Sequence, residues 1–158
     1  MTTELKTHLS NQLTDAQSKY TYFLLAVAAS AIALAVQRTT GKTLNWNMIP
    51  LGSAVFCWAG SFFSGCRNRA YFSSTLYANA ALLQIQDGTH PGVPFHPDAV
   101  KAASDGVRKA AESNSSMANF WGHMQFRLLV FGAVCFLVWH IAEMMSVVSN
   151  TGGPQPGA

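Results

Sequence analysis

Apolar residues in this chain gather into three long runs, residues 20–37, 47–66 and 126–148, and every charged residue except Arg127 and Glu143 falls outside them. A bilayer core is about 30 Å thick and an α-helix rises about 1.5 Å per residue, so roughly 17–25 apolar residues cross it. Each run meets that length. The pattern predicts an all-α integral membrane protein with three transmembrane helices.

The segments between the runs also carry helical patterning. Leu5, Leu9, Leu13, Ala16 and Tyr20 recur at helical spacing, which predicts an amphipathic cytoplasmic helix over residues 1–19. Thr14 with Gln17 three residues on offers another start, a capping box for the first span. The first two runs, 20–37 and 47–66, form a transmembrane hairpin over residues 20–66. Beyond the second run, Phe72, Leu76, Ala80 and Leu83 keep the period as far as Gln86. The run DGTHPGVPFHP at 87–97 then breaks it with two glycines and three prolines. Pro97 and Asp98 suit the first turn of a new helix, proline at its first position and an acid near its positive end. Val100, Ala103, Val107 and Ala110 give that helix a thin apolar stripe. Residues 67–119 therefore read as a cytoplasmic helical hairpin, 120–148 as the third transmembrane helix, and 149–158 as a disordered tail.

Small residues mark where helices approach. The first span carries Ala29 and Ala33 among six alanines, and the second carries Ser53, Cys57, Ser61 and Gly65 at intervals of four. In lipid, little hydrophobic force acts between helices, so close backbone approach supplies the contact instead. These six positions are expected at helix-packing surfaces, with spans one and two as an antiparallel pair. Trp46 and the Tyr20/Tyr22 pair suit aromatic anchors at opposite interfaces.

Composition narrows the class. Charged residues are 11% of the chain, less than half the roughly 25% usual in soluble domains. A net charge of +3 with no block of like charge argues against nucleic acid as a partner. Residues 1–19 are polar and contain Glu4 and Asp15, which is unlike a cleavable signal peptide. The three cysteines form neither a disulfide framework nor a zinc pattern. Cys57 and Cys135 suit packing, and Cys66 stands beside Arg67.

Charge also gives orientation. Eight basic residues (Lys6, Lys19, Arg67, Arg69, Lys101, Arg108, Lys109, Arg127) fall on the side of the N-terminus and the large loop, against Arg38 and Lys42 on the other. The expected localisation is the inner, cytoplasmic membrane of the cell, multi-pass, with the N-terminus cytoplasmic and the C-terminus opposite.

The third run holds the polar residues that ask for a reason. Trp121 and Trp139 are 18 residues apart, about 27 Å along a helix and close to the separation of two aromatic belts. That register buries Arg127 about 9 Å inside the hydrocarbon. The other register runs from Leu128 to Val148, leaves Arg127 at the cytoplasmic boundary and immerses His140 and Glu143. Either places charge in lipid, at roughly 2.5–3.5 kcal/mol per central ionised group. The apolar continuation through Met144, Met145 and Val147 favours the second.

His140 and Glu143 are three apart and share one helix face, so they form a candidate polar or pore-lining face together with Arg127. The plainer reading is a pair near the outer interface that reaches headgroups and water. His90 and His96, with Asp87 and Asp98 nearby, are weak metal candidates in a solvated loop. No phosphate loop, nucleophile elbow or zinc-protease motif occurs, so neither a cofactor nor an enzymatic activity is expected.

Three functions compete. The first is an oligomeric pore or membrane-perturbing effector, whose partners are the bilayer and copies of itself. The second is a non-conducting accessory or anchor subunit that docks a membrane or cytoplasmic protein through the 67–119 hairpin. A membrane enzyme using His140 and Glu143 comes third. In outline, residues 1–86 look like the small two-span membrane effectors associated with nucleotide-signalling defence systems in bacteria: helical lead-in, tight span pair, cytoplasmic helix. The likeness is architectural, and the third span departs from it.

Overall fold

The computed structural model describes residues 2–41, 46–94 and 96–151. Every regular element among them is helical: α1 (Thr2–Thr39), a 3-10 turn (Trp46–Met48), α2 (Ile49–Gln86) and α3 (Pro97–Thr151). Three helical stretches, Thr14–Thr39, Trp46–Gln86 and Pro97–Ser146, are long and apolar enough to cross a membrane. Lys42, the tail from residue 152, and the side chains of Leu5, Leu9, Leu13, Val147 and Val148 lie outside the described residues.

The lead-in and the first run form one unbroken helix. Thr14 starts nothing, because the helix already runs through it, and an exposed Asp15–Lys19 ion pair of 2.7 Å bridges one turn. Thr21 turns its hydroxyl back to the Gln17 carbonyl at 3.0 Å, a bond that leaves the helix intact. Gly41, at φ 79°, follows the end of α1 in the left-handed conformation that glycine adopts without a steric penalty.

The chain divides into two compact units, Met1–Phe62 with Gln125–Ala158, and Phe63–Met124. In the first, segments of all three helices close on a core of Ala35, Leu51, Ala54, Trp58 and Trp139. Among the described side chains of α1, the buried ones are Thr21, Leu24, Ala28 and Ala35. Three of these stand seven apart, so Ala28 and Ala35 face inward while Ala29 and Ala33 face out. The close approach in this unit joins α2 to α3. A Cβ on Gly132 would meet the Trp58 indole at 2.6 Å from Nε1 and 2.7 Å from Cδ1, so the indole occupies the room the glycine leaves. Trp58 Nε1 donates to the Leu129 carbonyl at 3.3 Å, and Ser61 Oγ donates to the Gln125 carbonyl at 2.8 Å. Those carbonyls are one helical turn apart. Small and polar groups of the second run thus serve α3, where the sequence pattern pointed to span one.

The second unit is a helical hairpin. Ile85, Ala111 and Ala118 are buried between its legs, and the buried Asn68 amide donates to the Ala118 carbonyl. α2 ends at Gln86, where the period runs out. Gly88 at φ 68° turns the chain while Thr89 N–H reaches back to the Gln84 carbonyl at 2.9 Å. α3 opens at Pro97 as the proline–acid pair predicts, and the His96 carbonyl accepts the Val100 N–H at 2.9 Å.

α3 itself carries a regular seam. Ala111, Ala118, Gln125, Gly132 and Trp139 are all buried, each seven residues after the last. That period is the one by which a helix keeps a single stripe turned toward a partner.

Candidate functional site

Beside the packed seam, the first unit has a cavity of about 500 Å³. Its apolar wall is Leu34, Phe136 and Trp139, and its polar lining is Gln37, Arg38, His140 and Glu143. Two helices supply these groups at one end of otherwise apolar stretches. On α1, Leu34, Gln37 and Arg38 lie three and four apart, so one face carries all of them into the last turn. On α3, Phe136, Trp139, His140 and Glu143 share a face by the same rule.

The aromatic residues hold the imidazole in place. His140 stacks on Phe136 with ring centroids 6.4 Å apart and an interplanar angle of 1°, and Phe136 in turn contacts Trp139 at 5.6 Å and Trp58 at 5.7 Å. Trp139 is 3% exposed and belongs to the core, so the imidazole is braced by a ring system anchored in packed structure. His140 itself is exposed and Glu143 half-buried. The arrangement offers a guanidinium, an imidazole, a carboxylate and an amide around one opening. Such a set can hold a group bearing charge of both signs, or pass water and ions along a polar wall.

The other sequence candidates scatter. Arg127 is exposed on α3 and takes no part in the cavity. Ala29, Ala33 and Ser53 face outward, whereas Cys57, Ser61 and Gly65 are buried. All three cysteines are free thiols. His90 accepts the Gly92 N–H on Nδ1 at 3.2 Å, and His96 Nδ1 lies 3.9 Å from the Asp98 carboxylate with both side chains well exposed. Among the described residues, no three His, Cys, Asp or Glu side chains gather as a metal site would need.

Arg38 and Gln37 are the members the sequence pattern passed over. Arg38 registered only as a flanking charge, because the fold alone brings it to the cavity that Glu143, more than a hundred residues on, also lines.

The second unit has a cleft of its own, about 520 Å³, lined largely by polar groups that include Thr75, Asn79, Arg108, Glu112 and Asn119. Nearby in that unit, Arg67 donates to the Tyr71 hydroxyl at 2.9 Å and lies 5.9 Å from the Trp121 ring centre. Trp121 also meets Phe63 edge-on at 6.0 Å. Such a basic–aromatic cluster is the kind found where apolar and wet surroundings meet. Comparison with known protein families, curated proteins and solved structures finds no match to this chain.

Proposed function

We propose that this chain is a small multi-pass membrane protein that assembles with copies of itself and acts as a pore-like or membrane-perturbing effector. The observation that carries the reading is the cavity that joins Arg38 to His140 and Glu143. Arg38 closes the first apolar run, so groups beside it belong at the outer headgroup level, not at mid-bilayer. Arg127 then sits at the cytoplasmic boundary. Between Arg127 and Glu143, α3 rises about 24 Å over 16 residues, against a hydrocarbon core of about 30 Å. Both ends stay out of lipid, and the helix offers a short apolar belt. Trp139 no longer argues for the register with Arg127 immersed, because its ring is in the core and does not anchor a lipid face.

A short belt is accommodated by thinning the bilayer around it or by gathering copies, and both fit a protein that perturbs membranes. The outward side chains support a lipid or self-association environment. Phe23, Phe56, Phe131 and Ile141 are each more than half exposed, and Phe56 reaches 81%. A surface of that kind is unsuited to water. On this reading the charge bias places the N-terminus and the 67–119 hairpin in the cytoplasm.

Reconstitution into liposomes tests the proposal. An oligomer with ion flux or dye release is the expected result, and an oligomer that passes nothing at any pH would remove it. The accessory-subunit reading is favoured by a different observation, the polar cleft with Arg108 and Glu112 on the hairpin. It is tested by deleting residues 87–112 and asking whether co-purifying proteins change; unchanged interactions would sink it.

A further inference from the structure

We infer that Arg67, Tyr71 and Trp121 form a clamp for the phosphate of an anionic phospholipid, such as phosphatidylglycerol, at the headgroup level of the cytoplasmic leaflet. The inference rests on the membrane reading above but not on pore formation. Three observations on the second unit carry it.

The first is that the cluster offers donors and no negative charge. Arg67 Nη2 donates to the Tyr71 hydroxyl at 2.9 Å, which spends one of the five N–H groups of an exposed guanidinium. The guanidinium carbon stands 5.1 Å from the Tyr71 ring centre and 5.9 Å from that of Trp121, and these contacts leave the rest of the fork unspent. The Tyr71 hydroxyl keeps its own proton to donate, and the Trp121 indole N–H is a donor only. Among the described residues, Arg67 pairs with no carboxylate and the Trp121 N–H donates to no acceptor. Uncompensated positive charge with spare donors selects an anion, and a phosphodiester takes paired N–H bonds from a guanidinium. The ammonium of a zwitterionic headgroup finds no carboxylate in this cluster.

The second observation is that the groups are held before any ligand arrives. Asn68, next to Arg67, is buried and its amide donates to the Ala118 carbonyl. A Cβ on Gly122 would stand 3.1 Å from that amide nitrogen, so the two legs of the hairpin run close beside Trp121. Phe63 and Phe120 meet the indole edge-on at 6.0 and 5.7 Å. A guanidinium kept beside two such rings gives up less freedom on binding than a loose cation does.

The third is where the cluster stands. Arg67 directly follows the second apolar run and Trp121 precedes the third. Both belong at the end of a span, on the side to which the charge bias assigns the N-terminus. Phospholipid phosphates lie at that level, and the cytoplasmic leaflet carries the anionic ones. Phe63 and Phe120 are each more than half exposed and offer apolar surface to the first methylenes of the acyl chains.

The test uses the full-length protein purified in detergent, with phosphatidylglycerol, phosphatidylethanolamine and phosphatidylcholine of matched chains offered in equal amounts. Native mass spectrometry reads retention, and thermal unfolding is followed with each lipid. The expected result is several-fold preferential retention of phosphatidylglycerol, with the largest rise in melting temperature. Arg67→Gln should remove that preference and Arg67→Lys should keep part of it. Trp121→Phe, which retains a ring and loses the N–H, should lower it. Lys101→Gln removes an equal charge from an exposed site about 30 Å along α3 from Trp121 and should leave the preference intact. Lipid-free melting identifies any variant that has lost its fold, and Arg67→Lys against Lys101→Gln then carries the comparison. Equal retention of the three lipids by the wild-type chain would overturn the assignment. So would an equal loss in Arg67→Gln and Lys101→Gln, which would reduce the preference to diffuse charge. Free glycerol 3-phosphate that stabilises as much as the lipid would move the site to a soluble ligand and overturn the lipid assignment. Flotation with liposomes of phosphatidylcholine alone scores the membrane reading separately. A chain that inserts there and shows no preference loses the site and keeps that reading, and one that stays out loses both.

Discussion

The contact between Gly132 and Trp58 shows how much a single hydrogen atom in place of a side chain can decide. A methyl group at Gly132 would clash with the edge of the indole, 2.6 Å from its nitrogen, and lie 3.1 Å from the Ala54 carbonyl oxygen, and neither a packed ring nor a backbone atom yields easily. Gly132→Ala should therefore destabilise the protein by about 1–3 kcal/mol, the usual range for overpacking. Gly60→Ala meets only the far end of the Leu128 side chain, at 3.3 Å, and should cost far less. Gly52→Ala meets nothing within 4 Å and should be neutral or slightly stabilising, since alanine is the better helix former. Thermal unfolding in detergent should rank the three in that order. Trp58→Phe keeps most of the ring and removes the donor to Leu129. A loss of about 0.5–1 kcal/mol is expected, close to measured interhelical bonds in membrane proteins.

At the scale of the element, the ends of helices were more legible than their faces. Gly and Pro act on the backbone directly, so the stretch from Asp87 to Pro97 announced the end of α2 and the start of α3. The positive φ of Gly88 is the physical reason the break falls where it does. Gly88→Ala should destabilise the hairpin by about 1 kcal/mol, seen as faster proteolysis within 87–96. The seam on α3 was harder to read. Ala111 and Ala118 are only weakly apolar and Gln125 and Gly132 are not apolar side chains at all, so only their period of seven and the absence of bulk betray the buried face. The alanines of α1 misdirected for the same reason. Where six lie within ten residues, from 26 to 35, composition cannot tell Ala28 from Ala29, and only packing against α2 and α3 does. The cavity was half legible. His140 and Glu143 stand out on an apolar helix, but Arg38 joins them only through tertiary structure.

For the whole molecule, the proposed short belt on α3 makes a prediction that composition alone would not. If the span between Arg127 and Glu143 is held at about 24 Å, mismatch grows with bilayer thickness, and its cost rises by fractions of a kcal/mol per Å. Dye release from liposomes should increase as acyl chains lengthen from 14 to about 20 carbons, or the protein should gather into larger assemblies. A response flat across that series would detach membrane perturbation from belt length. The same experiment with Glu143→Ala should shift the dependence toward thicker bilayers, because the apolar stretch would then run on through Met144 and Met145 to the end of the run.

The fit of the Trp58 ring against Gly132 also limits how α2 and α3 can move. Sliding one helix along the other by a turn would bring Leu128 or Phe136 to the place the indole fills, and both carry bulk where Gly132 carries none. Register is thus locked by a single vacancy, and a one-turn ratchet of the kind used by some allosteric proteins is closed to this pair. In the assembly proposed above, opening or closing would then come from tilting or parting whole copies of the chain, with the contact between Trp58 and Gly132 kept.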